Sequence, residues 1–176
     1  ESVVPELIKL SGKNLKIWSA ACSTGDEPYS LVMLLSKFVP LSNIKILATD
    51  IDKQVLEKAR VGLYNEKSLA GLPEEFKKKY FTPVGKSNYQ ISDEIKKCVE
   101  FKVGNLLSDK YPTGLDLIVC RNVVIYFTDE AKTDIYKRFN QALKTGGYLF
   151  VGSTEQIINH RDVGFERKNS FYYEKK

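Results

Sequence analysis

The chain is poor in the residues that metal, disulfide and membrane chemistry require. Its three cysteines, Cys22, Cys98 and Cys120, are odd in number and match no metal-ligand spacing. They read as free thiols in a reducing compartment, and no metal site is expected. The single histidine, His160, has no acid motif nearby to orient it, so a loop surface position suits it better than a catalytic one. No apolar run approaches the length of a membrane span and no signal peptide is visible, so a cytoplasmic protein without membrane insertion is expected. Repeats and low-complexity segments are missing. So are the three spaced glycines of a dinucleotide fingerprint and the Gly-Lys-Ser/Thr of a P-loop. The net charge of +5 comes from widely spread lysines. That permits an acidic partner surface but is too diffuse to argue for nucleic acid, and none is expected as a partner.

What is present is an α/β rhythm. With 176 residues and 43% of them hydrophobic, the chain is long and apolar enough for one globular domain. Glu6 to Leu10 is a short amphipathic lead-in. A strand is predicted at Leu15–Ala20 and a helix from about Glu27 to Phe38, with Leu31, Leu34, Leu35 and Phe38 on its inner stripe. A second strand, Ile44–Thr49, runs into Asp50-Ile51-Asp52, and a helix follows over about Lys53–Val61. Residues Gly62 to Lys97 break the rhythm: a short helix near Leu72–Phe81, then a β excursion over Thr82–Ile91 turning at Gly85–Asn88. Strands resume at Val99–Val103 and Leu115–Val119. A helix capped by Thr128 carries Ile135, Phe139, Ala142 and Leu143 inward and sets Lys132, Lys137, Arg138 and Lys144 toward water. It ends at Lys144-Thr145-Gly146-Gly147. Tyr148–Gly152 is a further strand, and Val163–Arg167 with Ser170–Glu174 form a closing pair. Alternation of this kind predicts βαβ units and a mostly parallel sheet.

The chemistry gathers where strands end. After Leu15–Ala20 the side chains shrink through Ser19-Ala20-Ala21-Cys22-Ser23-Thr24, and Gly25 permits a sharp turn into a helix that begins Asp26-Glu27-Pro28. Ligands of open α/β sheets lie on such strand-to-helix turns. Two carboxylates stand where a phosphate would sit, so the turn suits a cationic or hydroxyl-bearing ligand. The sulfonium, amino group and ribose of S-adenosylmethionine fit that description; acids placed for the helix macrodipole fit the same residues. Asp50, about twenty residues past the first turn, stands where an acid meets ribose hydroxyls. Its other reading is an N-cap, and Asp50 and Asp52 are able to divide the two tasks. Asn105 is placed to meet an adenine edge and Leu106 to pack on its face, or Asn105 is a turn residue. Arg121, at the end of a buried strand, needs a carboxylate: a cofactor's, an acidic substrate's, or a structural one such as Asp116 or Glu27. The Tyr126 phenol points into the same cleft or sits in the core.

Three strings carry a resemblance. They are Ser19-Ala20-Ala21-Cys22-Ser23-Thr24-Gly25-Asp26-Glu27-Pro28-Tyr29-Ser30, Ala48-Thr49-Asp50-Ile51-Asp52, and Cys120-Arg121-Asn122-Val123-Val124-Ile125-Tyr126-Phe127. Together they resemble the CheR family of bacterial chemoreceptor glutamate O-methyltransferases over nearly the whole chain. The resemblance implies a Rossmann-like class I S-adenosylmethionine-dependent methyltransferase sheet with helices on both faces. Residues 1–176 would form one catalytic domain, with a small β-subdomain inserted at about 80–98 that helps dock receptors. It implies S-adenosylmethionine as cofactor and S-adenosylhomocysteine as product. Cofactor contacts carry over to Glu27, Asp50, Ile51, Asn105, Leu106, Arg121 and Asn122. Tyr126 and Arg121 carry over as the catalytic pair, with Tyr126 near the transferred methyl. The implied partners are the cytoplasmic helices of methyl-accepting chemotaxis receptors, met by a monomer. The family's N-terminal helical domain has no match here, so a truncated chain or a reduced relative is expected. A non-catalytic module that binds S-adenosylmethionine or S-adenosylhomocysteine, and a small-molecule methyltransferase, are the alternative functions.

Overall fold

The computed structural model describes residues 4–12, 14–121, 124, 127–152, 155–169 and 171–176. Helix α1 (Val4–Ser11) precedes β1 (Leu15–Ala20), and α2 (Asp26–Leu35) follows it. Strand β2 (Ile44–Asp50) leads into α3 (Lys53–Val61). Next come β3 (Leu63–Asn65), α4 (Glu74–Tyr80), β4 (Phe81–Val84), β5 (Asn88–Ile91) and α5 (Asp93–Lys96). Strands β6 (Val99–Val103) and β7 (Leu115–Cys120), helix α6 (Asp129–Ala142), and strands β8 (Leu143–Val151), β9 (Phe165–Arg167) and β10 (Tyr172–Lys175) complete the order.

Seven strands make one sheet in the order β6-β2-β1-β7-β8-β10-β9. The first five are mutually parallel, and β10 runs antiparallel to both its neighbours. The chain leaves β1 toward β2 on one side and later returns to β7 on the other. Their carboxyl ends therefore part at a topological switch point, where open sheets hold ligands.

Alternation along the strands builds a core on each face. In β1, Leu15 and Ile17 join the residues under α1, α2 and α3, whereas Trp18 and Ala20 join those under α6. Strand β7 is buried at every position, as a central parallel strand must be. Its one charged residue, Asp116, is fully buried. It accepts the backbone N–H of Lys16 at 2.8 Å and lies 3.4 Å from Lys144 Nζ.

A second, three-stranded sheet has the order β3-β5-β4, antiparallel throughout. Its β4–β5 turn falls over residues 85–87, within the predicted hairpin. The sheet also recruits Leu63–Asn65, earlier than residue 80, because the three residues of β3 are too few to show a strand pattern of their own.

Three local expectations change. Helix α2 stops at Leu35 rather than Phe38, and Phe38 lies in a turn, 37% exposed. Its most buried residues are Tyr29, Val32, Met33 and Leu35, while Leu31 and Leu34 are half-buried. The helix packs the sheet on one side and borders the α4 segment on another, so its apolar surface is wider than a single stripe. Strand β8 begins at Leu143, paired with Leu115, and Lys144-Thr145-Gly146-Gly147 belongs to it as an irregular stretch with a register shift opposite Leu115–Leu117. Arg138 is half-buried rather than facing water, and reaches across to the loop after β6.

Gly25 is the hinge between β1 and α2. Its φ of +88° suits glycine, and an added Cβ would lie 2.9 Å from Ala59 Cβ and 3.2 Å from both the Tyr29 ring and the Tyr64 hydroxyl. That closeness lets two phenols brace the turn from behind. Tyr29 donates to the Ala59 carbonyl at 2.6 Å, and Tyr64 donates to the Thr24 carbonyl at 2.7 Å.

Candidate cofactor site

The crevice is built from loops at the carboxyl ends of β1, β2, β6 and β7. The turn after β1 is stitched to its neighbour: the Cys22 N–H donates to the Thr49 carbonyl at 2.9 Å, and the Gly25 N–H to the Cys22 carbonyl at 3.1 Å. Ala21 and Ser23 both take positive φ, 59° and 52°. Two non-glycine residues in the left-handed region within three positions are costly, on the order of 1–3 kcal/mol each, and such strain concentrates at functional sites. Here it turns the Ser23 N–H toward Asp50.

Asp50 is the best-held acid of the crevice. One carboxylate oxygen accepts the Ser23 N–H at 2.9 Å, and the other accepts the Asp52 N–H at 3.0 Å. Each oxygen keeps a lone pair, so the carboxylate can accept two adjacent hydroxyls without moving. Asp52 takes the capping task, accepting the Gln54 N–H at 2.8 Å. Ile51, between them, is 66% exposed, an apolar surface at the rim of the crevice. The Gly104 N–H donates to the Asp50 carbonyl at 3.0 Å, which brings the loop after β6 alongside.

In that loop, Asn105 closes a compact turn. Its side-chain oxygen accepts the Leu107 N–H at 2.9 Å, and its own N–H donates to Asp109 Oδ2 at 2.8 Å. With the oxygen engaged, the amide NH₂ is what the side chain can offer a ligand. Leu106 is half-buried and packs on the core beneath α6.

Glu27 and Arg121 face each other across the strand ends, 3.9 Å apart. Glu27 also accepts the Ser19 hydroxyl at 3.3 Å. Burial raises the Glu27 pKa above the ordinary carboxylate range; Arg121 and the Ser19 hydrogen bond oppose the shift, and Glu155 adds to it. Of the acids weighed as partners for Arg121, the structure brings Glu27 and leaves Asp116 to Lys16 and Lys144. The Arg121 guanidinium also lies 5.3 Å from the centre of the Phe150 ring. Cys22, just behind, has its thiol pushed up to about 12 by burial, with the Asp50 charge second, so it stays protonated and unreactive. All three cysteines are free and buried. Asn122 and Tyr126 lie outside the described residues.

One residue that pattern reading passed over is Glu155. It is only 4% exposed, and its two oxygens accept the Gly152 N–H at 3.2 Å and the Val124 N–H at 3.1 Å. It ties the loop after β7, which begins with Arg121, to the end of β8. His160 lies in a loop, its Nδ1 3.0 Å from the Phe165 carbonyl, apart from these groups.

An apolar cavity of about 310 Å³ lies elsewhere, between α2 and the segment ending in α4, walled by Met33, Leu34, Leu69, Leu72 and Phe76. The convergent charged groups are in the crevice, which is where polar recognition is possible. No group of three or more metal-ligating side chains occurs among the described residues, and no described helix is long and apolar enough to cross a membrane.

The crevice thus offers a carboxylate with free lone pairs, a mostly buried acid beside an arginine, and apolar side chains near both. These residues fit a nucleoside joined to an amino acid: hydroxyls for Asp50, an ammonium for Glu27, a carboxylate for Arg121. The strand order with an antiparallel strand between β8 and β9 defines the class I S-adenosylmethionine-dependent methyltransferase fold. It is shared by a TehB-like SAM-dependent methyltransferase from Corynebacterium glutamicum, with a TM-score of 0.58 and 15% identity over 98% of this chain and 86% of that one. PKMT2 from Rickettsia typhi, solved in complex with AdoHcy, aligns with a TM-score of 0.51 and 19% identity over 79% of this chain and 21% of that one.

Within that class, the chain belongs to the family described as CheR methyltransferase, SAM binding domain, whose model matches residues 1–171. It is 42% identical to a chemotaxis protein methyltransferase of Listeria innocua over 98% of its length, and 40% identical to chemotaxis protein methyltransferase 1 of Pseudomonas aeruginosa over 92%. The chain spans 66% and 62% of those two relatives.

Proposed function

We propose that the chain is the catalytic domain of a cytoplasmic protein-glutamate O-methyltransferase, acting on the cytoplasmic helices of chemotaxis receptors and forming glutamate methyl esters. Family membership and the names of the relatives support the chemotaxis setting. The observation that carries the site is the Asp50 carboxylate, held by two backbone N–H groups at the switch point with a lone pair left on each oxygen. S-Adenosylmethionine, when bound, supplies an electrophilic methyl group on a sulfonium. In this reading Asp50 accepts the ribose hydroxyls and Glu27 receives the amino group. Arg121 forks onto the cofactor's carboxylate, and Ile51 and Leu106 border the base with the Asn105 amide at its edge. Asn122 and Tyr126 stay in the proposal by resemblance, as a further cofactor contact and the group that orients the methyl side.

The acceptor needs little activation. A glutamate side chain, with a reference pKa near ~4.3, is already ionised at neutral pH, so no base has to create the nucleophile. The residues' task is to hold oxygen, carbon and sulfur in line. Orientation of that kind is worth about 7–11 kcal/mol of barrier.

Incubation with methyl-labelled S-adenosylmethionine and a receptor cytoplasmic fragment tests this reading. Label on the receptor, released as volatile methanol by base, is expected. Cofactor binding without transfer to any acceptor would instead mark a sensor module, and label on a small acceptor alone would mark a small-molecule methyltransferase.

A further inference from the structure

Arg138 is a half-buried arginine that makes no salt bridge among the described residues. Its guanidinium is spent on backbone carbonyls instead. Nη1 donates to the Leu106 carbonyl at 2.7 Å, and Nη2 donates to the Asp109 carbonyl. The guanidinium carbon also lies 3.9 Å from the centre of the Tyr111 ring, close enough for a cation–π contact. The Tyr111 hydroxyl donates to the same Leu106 carbonyl at 2.6 Å. Burial raises the Tyr111 pKa, so the phenol keeps its proton and remains a donor.

This pair is anchored at its far end. Tyr111 meets Trp18 edge to face at 4.8 Å, and Trp18 Nε1 donates to Thr49 Oγ1 at 3.0 Å, one residue before Asp50. The loop after β6 is therefore braced against the strand that presents the acid. Only Leu106 of this loop packs on the core, while Leu107 is 51% exposed and the rest of Asn105–Lys110 is polar, so the loop's position depends in large part on these bonds.

We propose that Arg138, acting with Tyr111, is a positioning residue that sets base specificity at the cofactor site by fixing the Asn105–Asp109 loop. This rests on the cofactor reading above. Arg138 does not itself meet the ligand. It holds the Asn105 amide and the Leu106 backbone at the height of the base, so that adenine is told from a base with the opposite edge pattern. Adenine offers an acceptor at N1 and a donor at its amino group; hypoxanthine reverses both. A fixed loop makes that reversal costly, whereas a loose loop adapts to either.

The test is calorimetry on the 176-residue protein with S-adenosylhomocysteine and with its hypoxanthine counterpart, S-inosylhomocysteine. The wild-type protein should prefer adenine. Arg138→Met should bind S-adenosylhomocysteine about 10-fold more weakly, the order of one partly buried hydrogen bond from a charged group, and lose most of its preference between the bases. Arg138→Lys, able to reach one carbonyl rather than two, should fall between. Tyr111→Phe keeps the ring and removes one donor, so it should also reduce the preference, and it carries the test with Arg138→Lys if Arg138→Met does not fold. Asp50→Ala should weaken both nucleosides alike and keep their ratio. Folded Arg138 and Tyr111 variants with an unchanged ratio, whether or not affinity drops, would overturn the positioning role and leave the cofactor reading standing. An Asp50→Ala variant that binds as the wild type does would overturn the cofactor reading, and this inference with it.

Discussion

Glu27 sits in opposed conditions. It is mostly buried, which favours its neutral form, yet it faces Arg121 and would have to be ionised to receive an amino group. Because its pKa in the folded chain is raised above the unfolded value, the stability it contributes is full below the unfolded pKa. That contribution is lost as pH rises through the folded one. Cofactor affinity has the opposite sign: it should rise with pH through the same interval, as the carboxylate forms. Glu27→Gln should therefore flatten the pH dependence of S-adenosylhomocysteine binding on the alkaline side of the ordinary carboxylate pKa, weaken binding at neutral pH, and leave the unliganded protein no less stable at neutral pH. Calorimetry across that range, with thermal denaturation beside it, checks both halves. An unaltered pH profile would remove Glu27 from the ligand's amino group.

The turn from β1 into α2 depends on Gly25, whose backbone is left-handed and whose missing Cβ admits Ala59, Tyr29 and Tyr64. Gly25→Ala should cost about 2–4 kcal/mol, combining backbone strain with overpacking against Ala59. Urea denaturation measures it, and Ala59→Gly in the same chain should restore part of the loss. A change under 0.5 kcal/mol would show that the turn is not locked by this contact. The turn was legible in the sequence because small residues before a glycine and acids after it have a shape-based meaning. So were the strands flanking it, and the N-caps at Asp52 and Thr128. Elements that depend on a distant partner were not. Strand β3 exists because β5 pairs with it, β8 begins at Leu143 because Leu115 is opposite, and neither partner is visible from local pattern. Arg138 looked like solvent-facing charge because helical spacing does not record a loop from elsewhere in the chain folding over it.

At the scale of the molecule, two cores hold one mostly parallel sheet between them, and its switch point gathers residues from distant parts of the chain. Asp50, Glu27 and Arg121 were readable because each lies at a strand's carboxyl end or in the turn or helix start that follows one, where topology alone says a ligand goes. Glu155 was not, since a buried acid that braces two loops has no periodicity or motif of its own. The proposed site requires a nucleoside to occupy that crevice in the expected orientation. A crystal structure of the protein soaked with S-adenosylhomocysteine decides it. Both ribose hydroxyls should lie within hydrogen-bonding distance of the Asp50 carboxylate, with the amino-acid end between Glu27 and Arg121. A nucleoside bound in the cavity between α2 and α4, or a crevice in which Asp50 meets only protein, would contradict it.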